Sequence, residues 1–328
     1  MTTPDTYEAL RRQVTEAGCF EPAPAASVLS LFAHLAVSGA LFWASARAGG
    51  PLVAVLGFVA GSLVFYRIGW LMHDAAHGGV FRSGVNNRRF ASLTAGVLGE
   101  FPSGWRYGHN RHHAAPNVRG RDLDQAERWD PERRYRTRLG AFVGLLLLSR
   151  FRGRYLPKTL LLLGLRDGYF CYRHHRDRFA GELAGSCLGL GAQLAYLSWL
   201  FGGWGPALFL LHTSLGLVYL NAAFAGNHYD LDSFDEPEAA GLAFDELQLR
   251  TTRNYADGPL AGFVFGGLER QIEHHLFPGM PRRGLRKAEP FVRAYCAARG
   301  LPYRVEPFTG AMSAVLRFHL DAPGGARR

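Results

Sequence analysis

Four apolar segments stand out along the chain, each long enough to cross a bilayer as a helix, which needs about 20 mostly apolar residues. They cover residues 26–48, 51–72, 181–201 and 206–226. Only Gly-Gly-Pro separates the first two, and only Gly-Gly-Trp-Gly separates the last two. Connections this short fit tight turns alone. The pattern therefore predicts two transmembrane hairpins, which leave both termini and the middle of the chain on one side of the membrane.

The polar remainder, residues 73–180 and 227–328, is predicted to form a helical cap on that side. Two shorter apolar stretches within it, at 141–148 and 160–165, are too brief to span and indicate interfacial or membrane-dipping helices. The predicted fold is thus an all-α integral membrane protein. It forms one membrane-embedded domain over residues 1–328, with four transmembrane helices and a cap.

Composition changes this picture mainly through charge. The formal net charge is +10, from 37 Lys and Arg against 27 Asp and Glu, and many of the arginines lie in the predicted cap. Basic residues beside apolar spans indicate cytoplasmic retention and contact with lipid headgroups rather than nucleic-acid binding. The four cysteines form no CxxC pair, which fits a reducing compartment. No signal peptide is visible in the first 20 residues.

Three histidine clusters fall within the predicted cap. They read HDAAH at 73–77, HNRHH at 109–113 and QIEHH at 271–275. Residues three or four apart share a helix face, so His73 with His77 can address one ion, and the second cluster can reach two. Seven imidazoles are too many for one ion and suit a two-metal centre; imidazole is compatible with iron, copper, zinc and nickel.

The first cluster and the histidines outside the three clusters allow other interpretations. HDAAH alone is similar to the HExxH helix of zinc proteases, but Asp74 replaces the glutamate that acts as base there. His228 follows the fourth apolar segment and is a candidate for an eighth ligand by position alone. The pair His174 and His175 is predicted to be solvated, and His34 and His212 to be hydrogen-bonding groups inside the spans.

The three clusters resemble the histidine boxes of the membrane fatty acid desaturase family. The nearest pattern is the branch whose third box opens with glutamine, which includes the front-end desaturases. The resemblance continues in HHAAPNVRGRDLD and QIEHHLFPGMPRRGL, in the Asn-His pair at 227–228, and in residues 248–254.

This resemblance implies a di-iron centre with O2 as co-substrate. The implied iron ligands are His73, His77, His109, His112, His113, His228, His274 and His275. Gln271 stands where other branches have a histidine, so we expect it near the metal. We further expect Asp74, Asn110 and Glu273 to orient ligating imidazoles through hydrogen bonds.

The implied activity is desaturation of a fatty acyl chain carried by a lipid, by CoA or by acyl carrier protein. No haem motif of a fused cytochrome b5 is present, so a separate ferredoxin, flavodoxin or cytochrome is expected to supply electrons. Hydroxylation, epoxidation and acetylenic bond formation on the same scaffold remain alternatives, as does a non-catalytic membrane metal protein. Heavy Ala, Gly and Arg usage favours a bacterial inner membrane with the site on its cytoplasmic side.

Overall fold

The computed structural model describes residues 4–124, 137, 139–140, 148–151, 154–157, 164–258 and 260–321, and these are mostly helical. In chain order the helices are α1 (Tyr7–Glu16), α2 (Pro24–Ala46), α3 (Pro51–Tyr66), α4 (Ile68–Ala76), α5 (Gly84–Leu98), α6 (Pro102–Ala114), α7 (Leu165–His174), α8 (Arg176–Phe201), α9 (Gly205–Ala225), α10 (Glu236–Ala240), α11 (Phe244–Thr251), α12 (Ala261–Val264), α13 (Gln271–Leu276), α14 (Arg282–Arg299) and α15 (Phe308–Asp321). Single 3-10 turns lie at Gly202–Trp204 and Leu268–Arg270.

Four short strands correct the expectation of an all-α fold. Strand β1 (Leu148–Phe151) pairs antiparallel with β2 (Arg154–Pro157), and β3 (Asn254–Tyr255) pairs parallel with β4 (Val305–Glu306). The second pair fastens the C-terminal segment to the loop before the third histidine box. Such local pairings satisfy backbone groups where helices end, and the hydrophobic pattern gives no sign of them.

Three apolar helical segments are long enough to cross a membrane: Pro24–Ala46, Pro51–Ala76 and Arg176–Ala225. Large apolar side chains point away from the protein on these helices; Leu52 is 70% exposed and Leu188 75% exposed. Exposed apolar surface of this kind is expected where lipid rather than water is the solvent. The first two predicted spans agree with these segments to within a few residues.

The third apolar segment contains two helices. α8 and α9 are joined by the turn at Gly202–Trp204 and pack against each other. A Cβ added at Gly205 would lie 2.4 Å from the Cα of Ser198, so only glycine allows the chain to fold back so closely. The predicted third and fourth helices are therefore both present, and they form a hairpin.

Close packing also joins α2 and α3. The hydroxyl of Ser38 donates to the carbonyl of Gly61 at 2.8 Å, and a Cβ at Gly61 would lie 3.0 Å from the ring of Phe42. Small residues at the contact let the two backbones approach, as is common between helices in membranes. The second helix of this hairpin then continues, past a single turn residue at Arg67, into α4, which carries the first histidine box.

The part of the chain predicted as the cap contains α14, which packs on α1 and on the third box. A Cβ at Gly284 would lie 1.8 Å from the carbonyl oxygen of Cys19, so this glycine permits the contact between the chain termini. Ile272 and Leu276 on α13 are fully buried in the same apolar cluster. The cap core therefore fixes one face of α13 and leaves the imidazoles on its other faces.

The two predicted interfacial stretches, 141–148 and 160–165, fall mainly on residues 141–147 and 158–163, which lie outside the described residues. At their edges, Leu148 begins a strand and Leu165 begins a helix.

Candidate metal centre

The first histidine box lies on α4, directly after the membrane-spanning part of the same apolar segment. His73 and His77 are one helical turn apart, and their ring centroids lie 4.7 Å from each other. His73 is buried and His77 is half-buried. The membrane helix therefore delivers both imidazoles to one point at its end.

The second box lies on α6, where the spacing again selects the face. His109 and His113 are one turn apart, with their Nε2 atoms at 3.1 Å. His112 lies on a neighbouring face, with its ring centroid 5.7 Å from that of His109. Because its histidines face two directions, this helix contributes to two groups of imidazoles.

The third box lies on the short helix α13. The rings of His274 and His275 are perpendicular, with centroids 5.9 Å apart, and both are fully buried. The Nε2 atom of His274 lies 3.1 Å from that of His113, whereas His275 stacks on His113 with centroids 4.3 Å apart. His274 and His275 are adjacent on one helix, but their imidazoles point in different directions.

Together the eight histidines form two groups. Within each group, the ligand nitrogens lie within 4.8 Å of one another. The first group contains five residues: His73, His77, His109, His113 and His274. The second contains His112, His228 and His275. The stacked rings of His113 and His275 connect the groups. The structure brings together all eight histidines that the sequence analysis singled out.

Hydrogen bonds at Nδ1 orient four of these rings. His109 donates to Asp124 at 2.8 Å, and His112 donates to Asp122 at 2.9 Å. His228 donates to the carbonyl of Thr251 at 2.9 Å, and His275 donates to Gln248 Oε1 at 2.8 Å. A proton held at Nδ1 leaves a lone pair on Nε2, which is the arrangement that metal-ligating histidines use.

Two of the four residues expected near the ligands have the expected place. Asp74 lies 3.4 Å from His73 Nδ1, a weak contact, and also accepts a hydrogen bond from Arg282. Gln271 Nε2 lies 3.2 Å from His228 Nε2, beside the second group.

The other two need correction. Asn110 is exposed, and within the described residues no hydrogen bond joins it to a box histidine. Glu273 is buried but accepts from Asn254 and Tyr303, not from an imidazole. Asn254 in turn accepts from the backbone of Ile272 at 2.7 Å, so Glu273 holds α13 in place indirectly.

The orienting residues Asp122, Asp124 and Gln248 were missed as such. All three lie in the stretches around the boxes that carry the family resemblance, so a signal was available. The carbonyl of Thr251 had none, because every residue has a carbonyl.

Burial favours the neutral form of four of these imidazoles, His109, His113, His274 and His275. It lowers the pKa of His109 to about 4, although Asp124 opposes the shift. Burial and the neighbouring imidazoles also hold the pKa values of His113, His274 and His275 well below the usual range. At His112 burial acts in the same direction, but Asp122 outweighs it and the pKa is raised. Neutral imidazole is the form that binds metal.

The unpaired nitrogens test whether these residues fit a pair of metal ions. The Nε2 atoms of His73, His77 and His275 are buried and have no hydrogen-bond partner. The Nε2 atom of His113 lies 3.1 Å from that of His109 and 3.1 Å from that of His274, and one proton cannot satisfy all three. Buried nitrogen without a partner is unfavourable unless a cation accepts its lone pair. The donor set fits two ions that prefer imidazole.

The remaining histidines lie elsewhere. His34 accepts from Arg67 at 2.9 Å, and His212 bonds to the hydroxyl of Ser62 at 3.0 Å, as expected of hydrogen-bonding groups within the helices. His174 is exposed and stacks on Tyr107. A cavity of about 310 Å³ lies between the membrane helices near His212, and the residues that line it include none of the box histidines.

Comparisons with known proteins agree with the boxes. The family model for fatty acid desaturases matches residues 49–307. The Delta(5) fatty acid desaturase fat-4 of Caenorhabditis elegans is 31% identical over 76% of this chain, which spans 59% of that protein. The acyl-lipid 8-desaturase of Rebecca salina is 29% identical over 91% of this chain, which spans 70% of that relative.

An acyl-lipid (9-3)-desaturase of Borago officinalis is 28% identical over 88% of this chain and 67% of its own length. These relatives are eukaryotic and lend no support to the expected bacterial inner membrane. Their names agree with the front-end branch that the third box resembles. The family match covers most of the chain and all three boxes, and the chain belongs to the fatty acid desaturase family.

Proposed function

We propose that this chain catalyses O2-dependent desaturation of a fatty acyl chain at two irons held by the eight histidines. One observation carries the proposal: two adjoining groups of buried imidazoles lie at the end of a membrane-length helix, in a chain of the desaturase family. The relatives are named as desaturases, which supports the reaction. The two imidazole groups support a metal site for that reaction.

The first group would hold one iron and the second group the other. Bound irons would supply the oxidising chemistry with O2, which no side chain can perform on an unactivated C–H bond. The protein contributes orientation: Asp122, Asp124 and Gln248 keep the Nδ1 protons in place, so that the Nε2 lone pairs point inward. The apolar packing around the boxes excludes water.

The proposed topology has four transmembrane helices, α2, α3, α8 and α9, in one domain with a cytoplasmic cap. The hairpin between α8 and α9 and the basic cap support it. Cysteines introduced at Gly203 and at Arg173 in a cysteine-free background provide a test. An impermeant maleimide added to intact cells should label the first and not the second. The reverse result would invert the topology, and labelling of both would remove the hairpin from the membrane.

We propose further that a separate carrier, such as a ferredoxin, flavodoxin or cytochrome, delivers the electrons. The net charge of +10 supports docking of an acidic carrier through long-range attraction. Such attraction is screened by salt, so turnover driven by an acidic ferredoxin should fall as ionic strength rises.

The activity is tested by expression in a bacterial host with a reductase and a ferredoxin, beside His274→Ala as the inactive control. Acyl chains are profiled by mass spectrometry, and double bonds are located by derivatisation. A new unsaturated chain absent from the control is the expected result. A hydroxylated or epoxidised product would reassign the reaction, and a purified protein without iron would overturn the metal centre.

A further inference from the structure

Arg67 is a buried cation without an acidic partner. It lies between α3 and α4 and is only 8% exposed. Its Nε donates to His34 at 2.9 Å, its guanidinium stacks on Phe263 at 3.8 Å, and Tyr219 is a further neighbour. All three of these groups are neutral. Its Nη1 is buried with no hydrogen-bond partner, and among the described residues no carboxylate lies within ion-pair distance.

A second unpaired guanidinium nitrogen lies nearby. Arg282, at the start of α14, forms an ion pair with Asp74 through Nε, but its Nη2 is also buried without a partner. Arg67 and Asp74 are seven residues apart on nearly continuous helix, about 20° apart around its axis. The bond to Asp74 therefore places Arg282 on the same face of this helix as Arg67.

Each of these two arginines has a buried guanidinium nitrogen with no hydrogen-bond partner. Like charges repel, and a buried charge is costly unless it is paired. Guanidinium N–H groups bind phosphate and carboxylate oxygens in preference to neutral acceptors. The one acidic group in the cluster, Asp74, already accepts from Arg282 and also contacts His73.

The depth of the cluster indicates where the anion comes from. Arg67 follows Pro51, at the start of the helix, by 16 residues or about 24 Å. This distance approaches the thickness of the hydrocarbon core, about 30 Å, so Arg67 lies near the headgroup level. Beside it, Leu260 is 65% exposed and Phe263 54% exposed around the short helix α12. Apolar side chains that are exposed on the protein surface therefore lie next to the buried cation.

We propose that Arg67 and Arg282 bind the phosphate of a phospholipid whose acyl chain is the substrate. This assignment rests on the proposed function, because it names the carrier of the chain that is desaturated. Phe263 covers the guanidinium on the side of the bilayer. Asp74 links Arg282 to His73, so the phosphate is held next to the first histidine group. A headgroup fixed there brings the part of the chain close to its ester toward the irons.

The test uses the full chain, purified with iron in detergent micelles. Binding of dioleoylphosphatidylcholine and of dioleoylglycerol, which has the same chains and no phosphate, is measured by native mass spectrometry. We expect the wild type to bind the phospholipid at least tenfold more tightly. Arg67→Gln should lose this preference and Arg67→Lys should keep part of it. Arg283→Gln, which changes an exposed arginine next to Arg282, should keep it in full.

Three results would overturn the site: equal binding of both lipids by the wild type, an unchanged preference in Arg67→Gln, or complete displacement of the phospholipid by millimolar inorganic phosphate. The last would reassign the arginines to free phosphate. Melting temperature without lipid should not fall in Arg67→Gln, because the variant removes an unpaired charge. Should that variant not fold, Arg282→Gln provides the same comparison. Iron content and desaturation are measured separately, so a working desaturase without the preference would disprove the phosphate site alone.

Discussion

The two histidine groups are built in different ways. In the second group all three imidazoles are oriented by short Nδ1 hydrogen bonds, to Asp122, to the Thr251 carbonyl and to Gln248. In the first group, as far as the described part of the chain shows, only His109 has such a bond, to Asp124, whereas the contact of His73 with Asp74 is 3.4 Å long. We therefore expect metal binding by the first group to depend on the number of its imidazoles, and metal binding by the second group to depend on their orientation.

The largest effect is expected where the groups meet. His113 belongs to the first group and stacks on His275 of the second, so His113→Ala should release metal from both. We expect activity to fall by more than the roughly 10- to 100-fold that changes around a ligand cost. Iron per chain, measured by mass spectrometry of the purified protein, checks this. His174→Ala is the control, and iron content equal to that control would disprove the shared role.

Removing one ligand from each group tests whether the larger number of imidazoles in the first group protects its metal ion. His228→Ala leaves two imidazoles in the second group, whereas His77→Ala leaves four in the first. We expect His228→Ala to retain about one iron per chain and His77→Ala to retain nearly two, since four imidazoles still suffice for one ion. Equal iron losses in the two variants would show that number does not protect the first group.

Changing the orienting carboxylates should again affect the second group more than the first. Asp122→Asn replaces the charged acceptor of His112 by a neutral amide and should cost roughly 10- to 100-fold in iron affinity or activity. Asp74→Asn should cost less, roughly threefold, because a contact of 3.4 Å contributes little to orientation. Competition with a chelator measures both affinities. A larger loss in Asp74→Asn would mean that the first group also depends on orientation.

The smallest effect concerns pH and the support behind the first group. Asp124 is held by Arg166, which also neighbours the buried carboxyl of Asp167. Burial raises the pKa of Asp167 from 3.8 to about 6, and Arg166 only partly opposes this. The folded protein thus keeps this proton to a higher pH than the unfolded chain does. Stability should therefore fall as pH rises from about 4 to about 6.

Asp167→Asn removes that titration. The melting temperature of the variant should fall less than that of the wild type across this pH range, by a few degrees, as expected for about 2 kcal/mol. Differential scanning fluorimetry in detergent measures it, with Asp177→Asn, an exposed carboxylate, as the control. Parallel pH curves for wild type and Asp167→Asn would show that this carboxyl does not titrate in the range.

Periodicity and spacing in the sequence were sufficient to predict the apolar helices and the seven box histidines, because both are local properties. His228 was added to the ligand set through the family resemblance. HDAAH and HNRHH specify shared helix faces whatever the rest of the chain does. The short strands, the exposed position of Asn110 and the indirect role of Glu273 depend on contacts between distant segments. Glu273 meets Tyr303, and the strand at Asn254 pairs with that at Val305. No local pattern encodes such partners.

The continuity of α3 with α4 has a mechanical consequence. This apolar segment of 26 residues is long enough to cross a membrane and is interrupted only by the turn residue Arg67. It ends at the first histidine box, with no loop between the two. When a bilayer thins or thickens, a helix of fixed length responds by tilting. In this protein we expect such a tilt to move His73 and His77 together with the end of the segment. The geometry of the histidine site should therefore depend on the thickness of the membrane.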